Sequence, residues 1–592
     1  MLNQLEELAD NIESSVGVRA QNANTPSSLH NLTQKTLDHV LGGGKRKCIF
    51  SCPLSELAGK RSVDILKNAT PCRFRFVQID RSWFKYKDSS DLKIHIFEYE
   101  TLPVAKYCAI SYVWRGVRGQ GDKRGYFSVK GAEDADDIGI SLLYDISWAA
   151  WKVMGREYVW IDRLCIMQTV KEDKSWQIKQ MFNIYRDCGI CLVLPGGLQR
   201  LMKMEEKTTW VDRAWTLQEI TAPLTTKVHI LFDPGTPDFV IGTGSDSLSP
   251  VNYKGSYYIN DRGIRALLFM CEVIWRFRHE PHKFFGFEPS QFSMVGHCLD
   301  GVTQKQHKAI WEAAMMRTSS RPVDMVLSIM GLFDAKLDPD QFDKDDRIGA
   351  AIALVQSTLS AARVRPHERF DFEKAHPPEN MSWFLGLYWV DPHSKYSLFP
   401  RLPTTNVAGR AEWVYPDGNR KEVAKEFTEQ RHYLLDSWHA RLTPRARIVL
   451  DDEGYLTFTS PCVLPLTDCT PYYHRDPNRY ATLTHDFYFC QRTRTLWQFW
   501  QPRYWNNDHS YSSRHDLSVA ESLAVYIGFS GNGDTNCKDT YIIVKRHGPG
   551  KYHRITFLLT SPRAFASMNL MLFQDVKLSV GGPVPYKKTG TQ

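Results

Sequence analysis

The chain has 592 residues, 43% hydrophobic, 24% charged and 12% aromatic, which excludes wholesale disorder and predicts roughly three or four structural units. Its 74 basic and 66 acidic residues leave a formal charge of +8, read as solvated faces, so no nucleic-acid partner is expected. The longest apolar run, Ile348 to Val355, ends at Gln356, well short of the roughly 20 residues that a bilayer-spanning helix needs.

Residues 1–70 read as a helical N-terminal arm interrupted by the polar linker NANTPSSLHN, Asn22 to Asn31. The opening stretch MLNQLEELADNIESS is acidic and amphipathic and lacks the apolar core of a secretory signal. Thirteen cysteines at irregular intervals suit a reducing compartment, so a cytoplasmic location is expected. Cys48 with Cys52, Cys188 with Cys191, and Cys462 with Cys469 and His474 are close groups. None has a second pair at zinc-finger spacing, so thiols rather than a metal site are expected. GGGKRK, Gly42 to Lys47, lacks the spacing of a phosphate loop and reads as a basic turn.

From Cys72 the pattern changes. CRFRFVQID (Cys72 to Asp80) and LKIHIFEY (Leu92 to Tyr99) alternate as half-buried strands do. YCAISYVW, Tyr107 to Trp114, is a central strand that empties into the glycine-rich basic loop Gly116 to Gly125. There the backbone of Gly116 and the side chains of Arg118, Lys123 and Arg124 are either a phosphate-facing surface or a plain surface loop.

Apolar residues at helical spacing place a helix over Ser141 to Met154, then a strand over Tyr158 to Asp162, a second helix through Ile178 and Tyr185, and a strand within Gly189 to Gly197. Strands joined by helix-length crossovers form a parallel sheet, and such sheets bind ligands outside the carboxyl ends of their strands. The residues placed there are the Gly116 loop, Asp162 with Arg163, and Gly196 with Gly197.

Further on, Gly263 to Phe277, Ala309 to Met316, Val323 to Met330 and Ile348 to Ala362 read as helices, and the turn-rich stretch 406–421 as a boundary. Beyond it, ARIVLD, GYLTFTS, ESLAVYIGF, TYIIVKR and RITFLLT read as strands, the last two joined in a hairpin through His547 to Gly550.

No histidine stands between His95 and His229, so the α/β segment supplies neither a Ser-His or Cys-His pair nor a His-ligated metal. Cys165 then reads as a core thiol and the chemistry falls to carboxylates, hydroxyls and cations. In DRAWTLQEI, Trp215 and Glu219 lie four apart on one helix face that Asp212 is placed to cap. A carboxylate beside an indole is desolvated and suited to a developing positive charge, as in glycosidic bond cleavage. A core Trp215 with Glu219 paired to Arg213 or Arg163 is the alternative.

YCAISYVWRG, YVWIDRLCIMQ with QIKQMFNIYRDC, and DRAWTLQE resemble, in order and spacing, the three signature blocks of the fungal HET (heterokaryon incompatibility) domain, over about residues 72–232. RTSSRPVDMVLSIMGLF, Arg317 to Phe333, is similar to a segment that commonly follows that domain. HET domains are in turn distantly similar to TIR domains. That likeness implies a TIR-like, flavodoxin-like parallel sheet core over residues 71–240; the residue pattern sets after it a mainly helical region over 241–410 and a β-rich region over 411–592.

The TIR pattern Trp-Cys-x-x-Glu falls on Trp215, Thr216 and Glu219, with Thr216 in place of cysteine. The resemblance implies a catalytic Glu219 that cleaves NAD+ as substrate at its nicotinamide-ribose bond, with no cofactor. Ser111 and Tyr112 at the strand end, Asp162, Arg163, Gly116, Arg118 and Trp215 would line the substrate site. It also implies a role in non-self recognition and cell death, a homo-oligomer or a sensor protein as partner, and, as the alternative, a non-catalytic self-association module. One departure is Arg115, inserted between the Trp114 and Gly116 that usually adjoin.

Overall fold

The computed structural model describes residues 46–58, 62–79, 92–233 and, in segments, 256–270, 307–364, 403–472, 487–500, 522–560 and 575–587, with short runs omitted within them. Its described strands as far as residue 270 are β1 (Lys47–Pro53), β2 (Ser62–Val63), β3 (Phe74–Ile79), β4 (Lys93–Tyr99), β5 (Tyr107–Tyr112), β6 (Tyr126–Val129), β7 (Ile138–Gly139), β8 (Tyr158–Trp160), β9 (Ile190–Leu194), β10 (Val228–Phe232), β11 (Ser256–Asp261) and β12 (Ile264–Met270). Nine of them form one mixed sheet in the order β1-β4-β3-β8-β5-β9-β10-β12-β11, while β2, β6 and β7 make a small separate sheet.

The four central strands β8, β5, β9 and β10 are parallel, with Ala109 opposite Trp160 on one side of β5 and Cys191 on the other. Every residue of β5 is buried, as its aromatic and β-branched run requires of a strand covered on both faces. Numbered among themselves in chain order, the four run 2-1-3-4, the arrangement of flavodoxin-like doubly wound sheets. The order reverses between β5 and β9, so the ligand crevice expected of such sheets opens above the carboxyl ends of these two strands.

The helices follow the apolar spacing. Helix α1 (Ile140–Trp148) precedes β8, α2 (Lys171–Arg186) joins β8 to β9, and α3 (Ala214–Thr221) precedes β10. The core is mixed rather than all parallel, because β3 pairs antiparallel with β8 and with β4, and β12 antiparallel with β10.

Two expectations are corrected here. Within Gly263 to Phe277 the described residues Ile264–Met270 are a strand, not a helix. The run Leu267 to Met270 is continuously apolar, a pattern that suits a buried strand and a buried helix alike. Among the described residues of the expected helical arm, Lys47–Pro53 is a strand paired with β4 and Leu54–Ala58 is helical; residues 1–45 and 59–61 lie outside the described residues. Helix α4 (Arg347–Val364) stands where expected, and Val323 to Met330 shortens to the helical turn Asp324–Leu327. Within the turn-rich stretch 406–421, Ala411–Val414 and the start of Arg420–Glu422 are strands of a small antiparallel sheet that also holds Thr404–Thr405.

A buried ion network fixes the loop that follows β8. Arg75 on β3 and Asp173 on α2 are both fully buried and pair at 3.0 Å. Arg75 also donates to the Cys165 carbonyl, and Asp173 accepts from the Met167 and Cys72 amides. A charge pair costs desolvation unless its remaining donors and acceptors are satisfied. Here the satisfying groups include the backbone that follows β8, at the helical turn Asp162–Cys165 and at Met167 just beyond it.

At the C-terminal end the expected strands lie in an eleven-stranded sheet. Lys538–Gly548 and Lys551–Thr560 form the expected hairpin. Among the described residues no helix is long and apolar enough to cross a membrane.

Candidate functional site

Two hydrogen-bonded groups meet at the carboxyl end of β5. Successive residues of a strand face opposite sides of its sheet, so Ser111 and Tyr112 serve different neighbours. Ser111, wholly buried, donates to Glu219 Oε2 at 2.5 Å and accepts from the Trp210 indole at 2.9 Å. Tyr112 donates to Asp162 Oδ1, while the Trp114 indole donates to Asp162 Oδ2 at 2.7 Å. Arg163, 2% exposed, donates through Nε to the Tyr112 hydroxyl at 3.1 Å, lies over the Tyr112 ring and reaches the Asp136 carbonyl.

Most of the residues expected at a site are thus gathered around the ends of β5 and β8: Ser111, Tyr112, Gly116, Asp162, Arg163 and Glu219. Trp215 is directed elsewhere, its indole N–H donating to Asp324 Oδ2 at 3.2 Å. Arg118 is exposed, and its carbonyl accepts from Arg200. The indole bonded into the Glu219 network is instead that of Trp210, which is fully buried. Its one cue in the sequence is its place just ahead of the DRAW motif, separated from it by Val211 alone.

Glu219 keeps part of its surface accessible, yet its carboxyl group is ringed by protein. Burial pushes its pKa up to about 8; the Ser111 hydrogen bond opposes this, the charge of Asp162 adds to it, and Arg213 and Arg317 oppose it. The surrounding protein decides the proton affinity here, because a carboxylate loses hydration wherever its oxygens face packed atoms. Burial, and then the charge of Asp162, holds the Tyr112 hydroxyl protonated, in keeping with its role as donor.

The helix carrying Glu219 is not capped as expected. Its N-cap is Arg213, with no side-chain cap, and Asp212 lies in the preceding turn Trp210–Asp212. The Ala214 amide donates instead to the Thr318 carbonyl at 2.9 Å, and Thr318 returns a bond from its amide to the Asp212 carbonyl. Arg317, 2% exposed, donates to the Thr216 hydroxyl at 2.7 Å and to the Arg213 carbonyl at 3.0 Å. A segment far downstream in the chain therefore fixes the start of α3. The sequence signal that points to it is the resemblance noted for Arg317 to Phe333.

The Gly116 loop is tied to protein along its length. The Gly116 amide donates to Asp136 and the Val117 amide to the Gly196 carbonyl. A Cβ on Gly116 would lie 2.0 Å from Gly196 O, and Gly197 adopts φ +87, so the crossing of the two loops requires glycine. Asp122 accepts from the Ser141 amide and hydroxyl at the start of α1. A side-chain carboxylate already occupies the place where an anion would meet that helix. Arg124 lies over the Tyr144 ring, and the inserted Arg115 is exposed and donates to the Asp134 carbonyl.

Residues 107–200 match the family model described as Heterokaryon incompatibility protein (HET). Over 130 residues, 20% of this chain, the sequence is 25% identical to the Vegetative incompatibility protein HET-E-1 of Podospora anserina, and the match spans 9% of that protein's length. No solved structure is a significant match. The family match includes Ser111, Tyr112, Gly116, Arg118, Asp162 and Arg163 and ends before Trp215 and Glu219.

Proposed function

Because residues 107–200 constitute a HET domain, we propose that the chain acts in heterokaryon incompatibility and cell death, and that its α/β core cleaves NAD+ between nicotinamide and ribose. The observation that carries this reading is the desolvated Glu219 carboxyl, held by Ser111 at the edge where a doubly wound sheet takes its ligand. The TIR-like part of the reading rests on the 2-1-3-4 strand order and on the position of Glu219 in α3.

The chemistry fits the group. A pyridinium ribosyl substrate is cationic, and its approach favours the ionised carboxylate over the neutral acid. As the C–N bond breaks, its electron pair leaves with nicotinamide and positive charge builds on the ribose, where the carboxylate stabilises it. Water then adds to the ribosyl carbon and gives up a proton, which a carboxylate of pKa about 8 is suited to accept.

The second reading is a non-catalytic self-association module, in which this cluster is core. The burial of Ser111 and Arg163 favours it. The test is nicotinamide release from NAD+ by the full chain, alone and after enforced oligomerisation, compared with Glu219→Gln. Loss of release in the variant supports cleavage. Equal release by both proteins excludes Glu219, and no release in any assembled state supports the second reading.

A further inference from the structure

The hairpin of Lys538–Gly548 and Lys551–Thr560 carries a pair of histidines that the HET domain does not use. His547 Nδ1 and His553 Nδ1 stand 3.2 Å apart. The pairing of the two strands is irregular between Arg546 and Gly548, so His547 is the unpaired residue of a bulge. Bulges re-aim side chains, and this one brings His547 to His553.

The protonation pattern follows from the third member of the cluster. The Tyr455 hydroxyl has one proton and donates it to the Gly582 carbonyl at 2.7 Å. Its contact with His547 Nε2 at 3.1 Å is therefore one in which the imidazole donates. That fixes His547 as the Nε2–H tautomer, whose Nδ1 accepts from the His553 Nδ1–H. Burial lowers the pKa of both rings, so both are neutral at pH 7; His553 is pushed down to about 4, and His547 and Lys545 add to its shift.

We propose that His547 and His553 chelate a divalent transition-metal ion of imidazole preference, Cu2+ or Zn2+, through their two Nδ1 atoms. The metal ion in this gap takes the place of the His553 Nδ1 hydrogen, with His553 shifted to its Nε2–H tautomer. Two metal–nitrogen bonds of about 2.0–2.1 Å across this gap subtend roughly 100°, close to a tetrahedral angle. Tyr455 holds the outer nitrogen of His547, as partners of ligating imidazoles do. Among the described residues no group of three or more His, Cys, Asp or Glu could hold a metal ion, so water completes the coordination. Of the nearby cations, Lys551 is offset by Glu453 at 2.6 Å, while Lys545 opposes binding and must be outweighed by the metal–nitrogen bonds.

The test is Cu2+ titration of the full chain, with electron paramagnetic resonance reporting nitrogen coupling. The wild type takes up one more equivalent than His553→Gln and shows coupling to two imidazoles. Tyr455→Phe keeps both ligands but frees the tautomer, and binds about tenfold more weakly. Equal uptake by the wild type and His553→Gln overturns the proposal, as does Cu2+ binding without imidazole coupling.

Discussion

Ser111 on β5 and Glu219 on α3, 108 residues apart, are joined by a 2.5 Å hydrogen bond in which the serine hydroxyl donates. The strand end and the helix are thereby linked through a carboxyl group whose pKa is raised from 4.5 to about 8. An unfolded chain releases that proton near pH 4.5, whereas the folded chain holds it to about pH 8. The folded state binds more protons between those values, so stability falls as pH rises through this window. Glu219→Gln removes the penalty. Thermal melts from about pH 4 to 9 should show a variant that gains on the wild type as pH rises, by a few kcal/mol once the window is passed. A difference that does not change with pH would refute the assignment.

The Gly116 crossing makes a steric prediction. A methyl group at Gly116 meets backbone atoms of Gly196 at 2.0 and 2.6 Å, and backbone cannot swing aside as a flexible side chain can. Gly121, at φ +62 with nothing within 4 Å of a Cβ, carries only the conformational cost of about 1 kcal/mol. Gly116→Ala should therefore lower the melting temperature several times more than Gly121→Ala. Equal losses would mean that the crossing yields.

Asp173 tests the loop after β8. Asp173→Ala removes the closer of the two buried carboxylates that pair with Arg75, leaving Glu98 at 3.4 Å, and frees the Met167 and Cys72 amides. Removing one member of a buried pair costs about 3–5 kcal/mol where the other charge is left alone, and the Glu98 carboxylate places the loss here at the lower end of that range. Denaturant unfolding checks the value, and a loss below about 1 kcal/mol would show that water replaces the carboxylate.

The parts of this fold that were legible in the sequence are those set by local pattern. The runs that became β5, β8 and β9 and the stripes of α1 and α2 carry their period in neighbouring residues; the crossovers between them placed Asp162 and the Gly116 loop at one edge, and the family resemblance added Ser111. Glu219 was legible through its motif. What was not legible depends on distant chain: Trp210 bonded to Ser111, Asp122 filling the start of α1, and Thr318 in place of Asp212 at the start of α3. The strand Ile264–Met270 was missed because Leu267, Met270, Cys271, Ile274 and Phe277 fit a helical spacing, while the continuous run Leu267 to Met270 suits strand and helix alike.

Arg317 carries the final prediction. It reaches Thr216 and the Arg213 carbonyl from outside the family match, and its positive charge holds down the proton affinity of Glu219. Arg317→Met removes both the hydrogen bonds and the charge; Arg317→Lys keeps the charge and loses the planar fork. With the charge gone, the folded-state pKa of Glu219 rises further, so the pH-dependent loss of stability extends to higher pH than in the wild type. Arg317→Lys should keep the wild-type pH midpoint while losing part of the stability, because the shorter side chain ends short of the place where Nη1 now serves both acceptors. Melts of the two variants across about pH 6 to 9.5 separate the effects. The same midpoint in both variants would show that Arg317 acts on α3 through hydrogen bonds alone, without tuning Glu219.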